Sequence, residues 1–259
     1  MITPPFLTSP RLSDAGARHG FFSRHGGVSA APFETLNTGP GSADVAEHIA
    51  QNRQRCAGAI GIAPNGLLTL HQVHSADAVC VSTPWADDAR PHADGAASTR
   101  RDIALGVLTA DCMPFLFYEP TAGIIGATHA GWRGALGGVL EATIRQMVTF
   151  GAAPQRIIAA VGPCLRPPDF ETGTDLLEAF VSRYPAADRF FSPDGADSKH
   201  QLDLVAFGTW RLEQVGVAPP DIVGPSTLSN SADYFSYRAS RRAGLGDYGR
   251  NLSAIALPA

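Results

Sequence analysis

Three short segments hold side chains able to do chemistry: His71-Gln72-Val73-His74, Ala110-Asp111-Cys112-Met113-Pro114 and Thr128-His129-Ala130-Gly131-Trp132-Arg133-Gly134. Each closes an apolar run that reads as a strand, and strand ends are where a scaffold holds a site rigidly. Two imidazoles and one thiolate give zinc three protein ligands and leave a fourth position open, the pattern of a catalytic rather than a closed structural site. Zinc held in this way lowers the pKa of bound water to about 7. Cys112 and His129 belong to this set. The third ligand is either His71 or His74, which stand three apart and face opposite ways on a strand.

Other readings use the same residues. Cys112 with His129 makes a zinc-free nucleophile and base, with Asp111 available to orient the ring. A non-catalytic module would use zinc structurally, but no fourth Cys or His near the three segments closes the shell. A copper oxidase fits less well. Blue and trinuclear copper centres need many histidines and an axial ligand, whereas the eight histidines are scattered and only Met113 and Met147 follow the initiator.

The elements that must position these residues come from the apolar pattern. Strands are expected over 66–71, 78–82, 103–110, 113–118 and 123–129, several of them continuously apolar, as in a sheet covered on both faces. A helix is expected over 43–60. Another follows Gly131-Trp132-Arg133-Gly134 and runs to about Phe150, with Leu136, Leu140, Ile144, Met147 and Val148 on one stripe and Gly151 ending it. A strand over 156–161, helices over 174–184 and 202–215, and closing strands over 234–237 and 253–257 complete a mixed α/β sandwich. No repeat, low-complexity block or linker interrupts the 259 residues, so one domain over 1–259 is expected.

Composition narrows the function. The chain is 44% hydrophobic with net charge −4 and no basic stripe, which argues against nucleic acid as a partner. Met1 to Ser13 holds three prolines and no signal-like apolar stretch, and no segment approaches the ~20 apolar residues of a membrane span. Cys56, Cys80, Cys112 and Cys164 form no CxxC pair. Free thiols and a cytoplasmic location are therefore expected, with Cys56 and Cys80 as core residues. Lys199 is the only lysine, inside the polar loop Ser192 to His200, which argues against Schiff-base and P-loop chemistry.

The ordered motifs Phe21-Phe22-Ser23-Arg24-His25-Gly26-Gly27-Val28-Ser29, Leu36-Asn37, Asn52-Arg53, Gln72-Val73-His74, Ala110-Asp111-Cys112, His129-Ala130-Gly131-Trp132-Arg133-Gly134, Gly162-Pro163-Cys164 and Phe235-Ser236-Tyr237-Arg238 resemble the purine nucleoside phosphorylase family also called the laccase-domain or polyphenol oxidase family. The resemblance covers nearly the whole chain. It implies a laccase-domain (CNF-like) fold, a mixed β-sheet sandwich flanked by helices, and zinc on His74, Cys112 and His129, with copper less favoured. It further implies phosphorolysis of adenosine, inosine, guanosine and S-methyl-5′-thioadenosine, and deamination of adenosine to inosine, by a monomer acting on purine nucleoside and phosphate. Substrate and phosphate contacts are expected at Arg24, Asn37, Arg133, Arg238 and Arg250. Arg133, at a helix start, is favoured by the helix dipole and all four arginines by their bidentate donors. A peptidoglycan-related binding or editing role is compatible with the same fold.

Two departures from the family pattern stand in the C-terminal part. Ser226-Thr227 replaces a Cys-Thr pair. Ala239-Ser240 replaces an arginine and acidic pair after Arg238, and an inserted-looking Arg241 to Tyr248 precedes Gly249-Arg250.

Overall fold

The computed structural model describes residues 3–195 and 198–259. Two sheets hold most of the strands. The five-stranded sheet has the order β1 (Phe6–Leu7), β2 (Arg18–Phe22), β14 (Asn251–Ala256), β6 (Ala104–Thr109) and β3 (Leu67–Thr69). The six-stranded sheet has the order β13 (Asp221–Ile222), β9 (Ile158–Val161), β7 (Met113–Glu119), β8 (Ile124–Ala130), β5 (Gly95–Ser98) and β4 (Ala78–Cys80). Both are mixed: β3 runs parallel to β6 and β13 parallel to β9, while β14 is antiparallel to β2 and β6, and β7 to β8 and β9.

The continuous apolar runs are explained by burial on both faces of the sheet. Along β7, Leu116 and Tyr118 point into a cluster shared with Phe21, Leu105, Val107 and Ile255 of the other sheet. The alternate residues Phe115 and Phe117 pack under α4 (Val139–Thr149) and α6 (Leu204–Glu213), against Leu140, Ile144, Met147 and Phe207. On the far side, α2 (Ala46–Ala59) sets Cys56 and Ala57 over Phe22, Leu252 and Ala254. The layers are therefore helix, sheet, sheet, helix, which is the expected sandwich flanked by helices. Phe21, Phe115 and Phe117 are fully buried, and truncating one such ring to alanine costs about 3–5 kcal/mol.

Smaller elements complete the chain: α1 (Pro10–Asp14), α3 (Trp132–Gly137), α5 (Thr174–Arg183), α7 (Tyr237–Arg242), and a small antiparallel sheet of β10 (Glu171–Gly173), β12 (Lys199–Leu202) and β11 (Phe191–Pro193). Among the described residues no helix is long and apolar enough to cross a membrane.

Several expectations are corrected. The single helix expected to follow Gly131-Trp132-Arg133-Gly134 and run to about Phe150 is two helices, because Gly138 adopts φ 101° between α3 and α4. The segment Tyr234 to Tyr237 is not a strand: Asn251 bonds both the N–H and the C=O of Phe235 at 2.9 Å, and Ser236 caps α7 through the Ala239 N–H. Lys199 lies on β12 and pairs with Glu171 at 2.7 Å. Positions 196 and 197 of the expected polar loop, and Met1 and Ile2 of the N-terminal stretch, lie outside the described residues. Cys80 is exposed on the edge strand β4, its thiol 3.0 Å from Oε1 of Gln146, whereas Cys56 is buried as expected.

Candidate active site and metal centre

The two sheets meet at one end in the tight turn from β6 to β7. There Asp111 takes a left-handed backbone, φ 86°, unusual for a residue with a side chain. Its carboxylate is fixed at both oxygens, by the Thr227 hydroxyl at 2.6 Å and the Arg238 N–H at 2.7 Å. Burial raises the Asp111 pKa, and these hydrogen bonds act against that rise. Thr227, within the altered Ser226-Thr227 pair, thus anchors the turn that presents Cys112.

The register of the six-stranded sheet sets the rest. Met113 pairs with Ala130, so the start of β7 lies beside the end of β8, where His129 sits. Gly95 pairs with Thr128, which brings Asp94 alongside His129: the His129 N–H bonds the Asp94 C=O at 2.8 Å, and the ring Nδ1 meets the Asp94 carboxylate at 2.7 Å. The same carboxylate accepts from the backbone N–H groups of Val73, His74 and Ser75 and from the Ser75 hydroxyl. One fully buried acid therefore orients the His129 ring and holds the loop bearing His74, which has φ 59°. Gln72 secures that loop to β6 by bonding both the C=O and the N–H of Leu108.

As a result, the ligand atoms of His74, Cys112 and His129 all lie within 4.8 Å of one another, and the two imidazoles meet edge to face with centroids 4.7 Å apart. His71 points elsewhere, stacked on His92 at 4.2 Å. Among the described residues this is the one group of three or more His, Cys, Asp or Glu able to hold a metal ion. The residues fit one. The donors are two imidazoles and a sulfur, and Asp94 occupies His129 Nδ1, leaving its other nitrogen to the cluster. Gly131 leaves the space, since a Cβ there would come within 2.7 Å of His74 Nδ1 and 3.1 Å of Cys112 Sγ. Burial alone would lower the His129 pKa, but the Cys112 sulfur and the Asp94 carboxylate overcome it and bring it to about 9. Burial lowers that of His74, with the nearby His129 and Arg133 charges acting in the same direction.

The cluster opens onto a cleft of about 990 Å³. Arg133, Arg238 and Arg250 line it; Arg24 and Asn37 do not. Arg24 bonds the carbonyls of Glu34 and Ser231 and lies over the Phe235 ring. Asn37 is fully buried, tied to Ser42, Asp44, Gly39 and Arg250. Their partners make both of them braces of the loop that forms one cleft wall. Arg133 is exposed above the Trp132 ring with no hydrogen bond or ion pair among the described residues. Because α3 has only six residues, the guanidinium of Arg133, rather than a helix dipole, is the group it presents to the cleft. Arg238 binds the carbonyls of Asp169 and Glu171, and Arg250 binds Asp247 and the Tyr248 carbonyl; each uses one terminal nitrogen for these bonds.

Asp94 is the functional residue that sequence reasoning missed. It stands in a Pro-His-Ala-Asp-Gly run that reads as a turn, and only the pairing of β5 with β8 gives it a role. Asp111, expected to orient His129 in the zinc-free reading, is instead committed to Thr227 and Arg238.

A family model described as multi-copper polyphenol oxidoreductase laccase matches residues 18–258. A Streptomyces coelicolor protein named purine nucleoside phosphorylase SCO2081 is 37% identical over 229 residues, covering 88% of this chain and 93% of that protein. A Deinococcus radiodurans protein named purine nucleoside phosphorylase is 36% identical, covering 99% and 96%. The crystal structure of Neisseria meningitidis protein NMB0706 superposes with a TM-score of 0.86 at 31% identity, over 98% of this chain and 99% of that one. That of YlmD from Geobacillus stearothermophilus gives 0.84 at 27%, over 99% and 100%.

Proposed function

Because this chain belongs to the multi-copper polyphenol oxidoreductase laccase family, several of whose members are named purine nucleoside phosphorylases, we propose that it is a zinc-dependent purine nucleoside phosphorylase that also deaminates adenosine to inosine. The observation that carries the reading is the convergence of His74, Cys112 and His129 within 4.8 Å at a cleft whose wall bears Arg133, Arg238 and Arg250. Zinc bound there supplies Lewis acidity and activates water near neutral pH, the chemistry deamination at the purine carbon bearing the amino group requires.

In phosphorolysis a phosphate oxygen bonds to the ribose C1′ as the bond from C1′ to the purine nitrogen breaks. The base leaves with that electron pair and takes up a proton, giving free purine and sugar 1-phosphate. The residues of this chain have three tasks. Arg133, Arg238 and Arg250 hold the dianion beside the sugar carbon. Asp94 and Gln72 fix the ring and loop that present the donors. Trp132, Phe170 and Leu204 line the cleft with apolar surface for a base.

Zinc is favoured over copper by the donor count. A multi-copper centre needs further histidine clusters, and the described residues offer one three-donor group. Met113, the methionine nearest in sequence, is buried in the core under the helices rather than lining the cleft. The zinc-free Cys112 and His129 hydrolase is a second reading, favoured by the effect of the Cys112 sulfur on His129. It leaves His74, held in the same group by Asp94, without a task. A cytoplasmic enzyme is in keeping with four free cysteines.

The test is to incubate protein of measured metal content with adenosine, with and without phosphate, and identify products by chromatography. Adenine appearing only with phosphate, inosine appearing without it, and loss of both in Cys112→Ala are expected, with about one zinc per chain. Full activity in metal-free protein would overturn the zinc assignment.

A further inference from the structure

The cleft carries more positive charge than one phosphate needs. Besides Arg133, Arg238 and Arg250, its walls include Arg90 and Arg241, whereas Asp111 is the one carboxylate among the lining residues, with both oxygens already engaged. The chain as a whole has net charge −4, so this is a local concentration set against the overall balance. A cleft lined by one sign of charge focuses the field and draws in anions.

Arg241 marks where the excess lies. It sits on the last turn of α7 and opens the segment Arg241 to Tyr248. It is exposed, and its guanidinium makes no hydrogen bond or ion pair among the described residues. Beside it in the cleft wall, the Tyr237 and Tyr248 rings meet edge to face at 5.2 Å, and the Arg250 guanidinium lies 4.2 Å from the Tyr248 centroid. Arg133, by contrast, follows β8 next to the metal donors. A reaction between an uncharged nucleoside and one phosphate gives the first of these guanidinia no task. At about 990 Å³ the cleft is also at the top of the roughly 300–1,000 Å³ range of small-molecule sites, with room beyond a nucleoside.

We propose that the cleft takes nucleosides carrying a phosphoryl group on the ribose 5′ oxygen, with Arg241 reading that phosphate at the rim. The ligand class is a nucleoside 5′-monophosphate. Its 5′ phosphate stands on an exocyclic arm separate from the C1′ carbon, so one ligand offers C1′ to the phosphate-holding arginines and a second, distinct anion to Arg241. This inference rests on the nucleoside reading of the site.

Inosine and inosine 5′-monophosphate separate the two claims, because neither can be deaminated and neither undergoes phosphorolysis without free phosphate. Calorimetric titration of the zinc-loaded protein in phosphate-free buffer is expected to show the monophosphate binding about tenfold or more tightly than inosine, as one charge-assisted contact allows. That ratio should collapse towards unity in Arg241→Ala and persist in Arg242→Ala, a neighbouring exposed arginine outside the cleft lining. Equal binding of the two ligands by the wild type overturns the inference and leaves the nucleoside reading standing. A ratio unchanged in Arg241→Ala overturns the role of Arg241. Inorganic phosphate alone binding as tightly as the monophosphate shows a free-anion pocket and also overturns it. Binding of neither ligand overturns this inference together with the proposed function.

Discussion

The carboxylate of Asp94 meets Nδ1 of His129 at 2.7 Å while also accepting from the backbone N–H groups of Val73, His74 and Ser75. Two imidazoles of the candidate metal group, which come from different parts of the chain, are thus set by one buried acid. Asp94→Asn keeps the volume but replaces one acceptor oxygen by a donor, so the ring and the loop cannot both be satisfied. Zinc affinity measured by chelator competition should fall about 10- to 100-fold, and wild-type affinity would refute the linkage.

Gly131 has φ −69°, a conformation any residue adopts, so its need for glycine is one of space. Gly131→Ala places a methyl 2.7 Å from His74 Nδ1 and 3.1 Å from Cys112 Sγ. Bound zinc should drop sharply while the melting temperature of the metal-free protein changes little. Full zinc occupancy in the variant would show that the cradle can widen.

Arg133 and Arg24 should part company. Arg133→Ala is expected to raise the phosphate KM by about one to two decades and to disturb deamination less, since among the described residues the Arg133 side chain makes no hydrogen bond or ion pair that holds the loops bearing His74, Cys112 and His129. Arg24, bound to the carbonyls of Glu34 and Ser231, should on loss lower stability without changing the phosphate requirement. Equal loss of both rates in folded Arg133→Ala would remove it from phosphate binding.

His19 on β2 is buried, accepting from the Ser9 N–H at 2.8 Å and donating to the Ala17 carbonyl at 3.0 Å. Burial lowers its pKa, with the Ala17 bond and Asp221 acting in the opposite direction. Well above pH 6.5 the ring is neutral both folded and unfolded. As pH falls below 6.5 the unfolded chain takes up the proton first, and stability is lost until the folded pKa is passed. The urea midpoint should therefore fall more between pH values above and below 6.5 in the wild type than in His19→Gln. An equal fall in both would assign the acid sensitivity to other groups.

Local pattern was enough for β7 and β8, because both faces of each are buried and the apolar run is unbroken. It was enough to single out Cys112, just before β7, and His129, at the end of β8. It failed where a distant partner decides the outcome. Tyr234 to Tyr237 has strand-like composition, but Asn251 takes the backbone bonds of Phe235 that a strand neighbour would have taken. Cys80 sits in an apolar run, yet β4 is an edge strand and leaves the thiol outside. The break at Gly138 did have a local signal in the Gly137-Gly138 pair, which the apolar stripe on either side masks. Asp94 had none, since its role depends on which strand β5 pairs with.

The position of β14 between β2 and β6 bears on biosynthesis. The five-stranded sheet is two separate pieces until a strand from beyond residue 250 is inserted, and its neighbour β2 lies at residues 18–22. While it emerges from the ribosome, the chain must keep the edges of β2 and β6 unpaired until synthesis has passed Ala256. Closure across so long a separation is slow, and the exposed edges invite pairing with other chains. Nascent chains halted before this strand should therefore be substrates for chaperones and proteases.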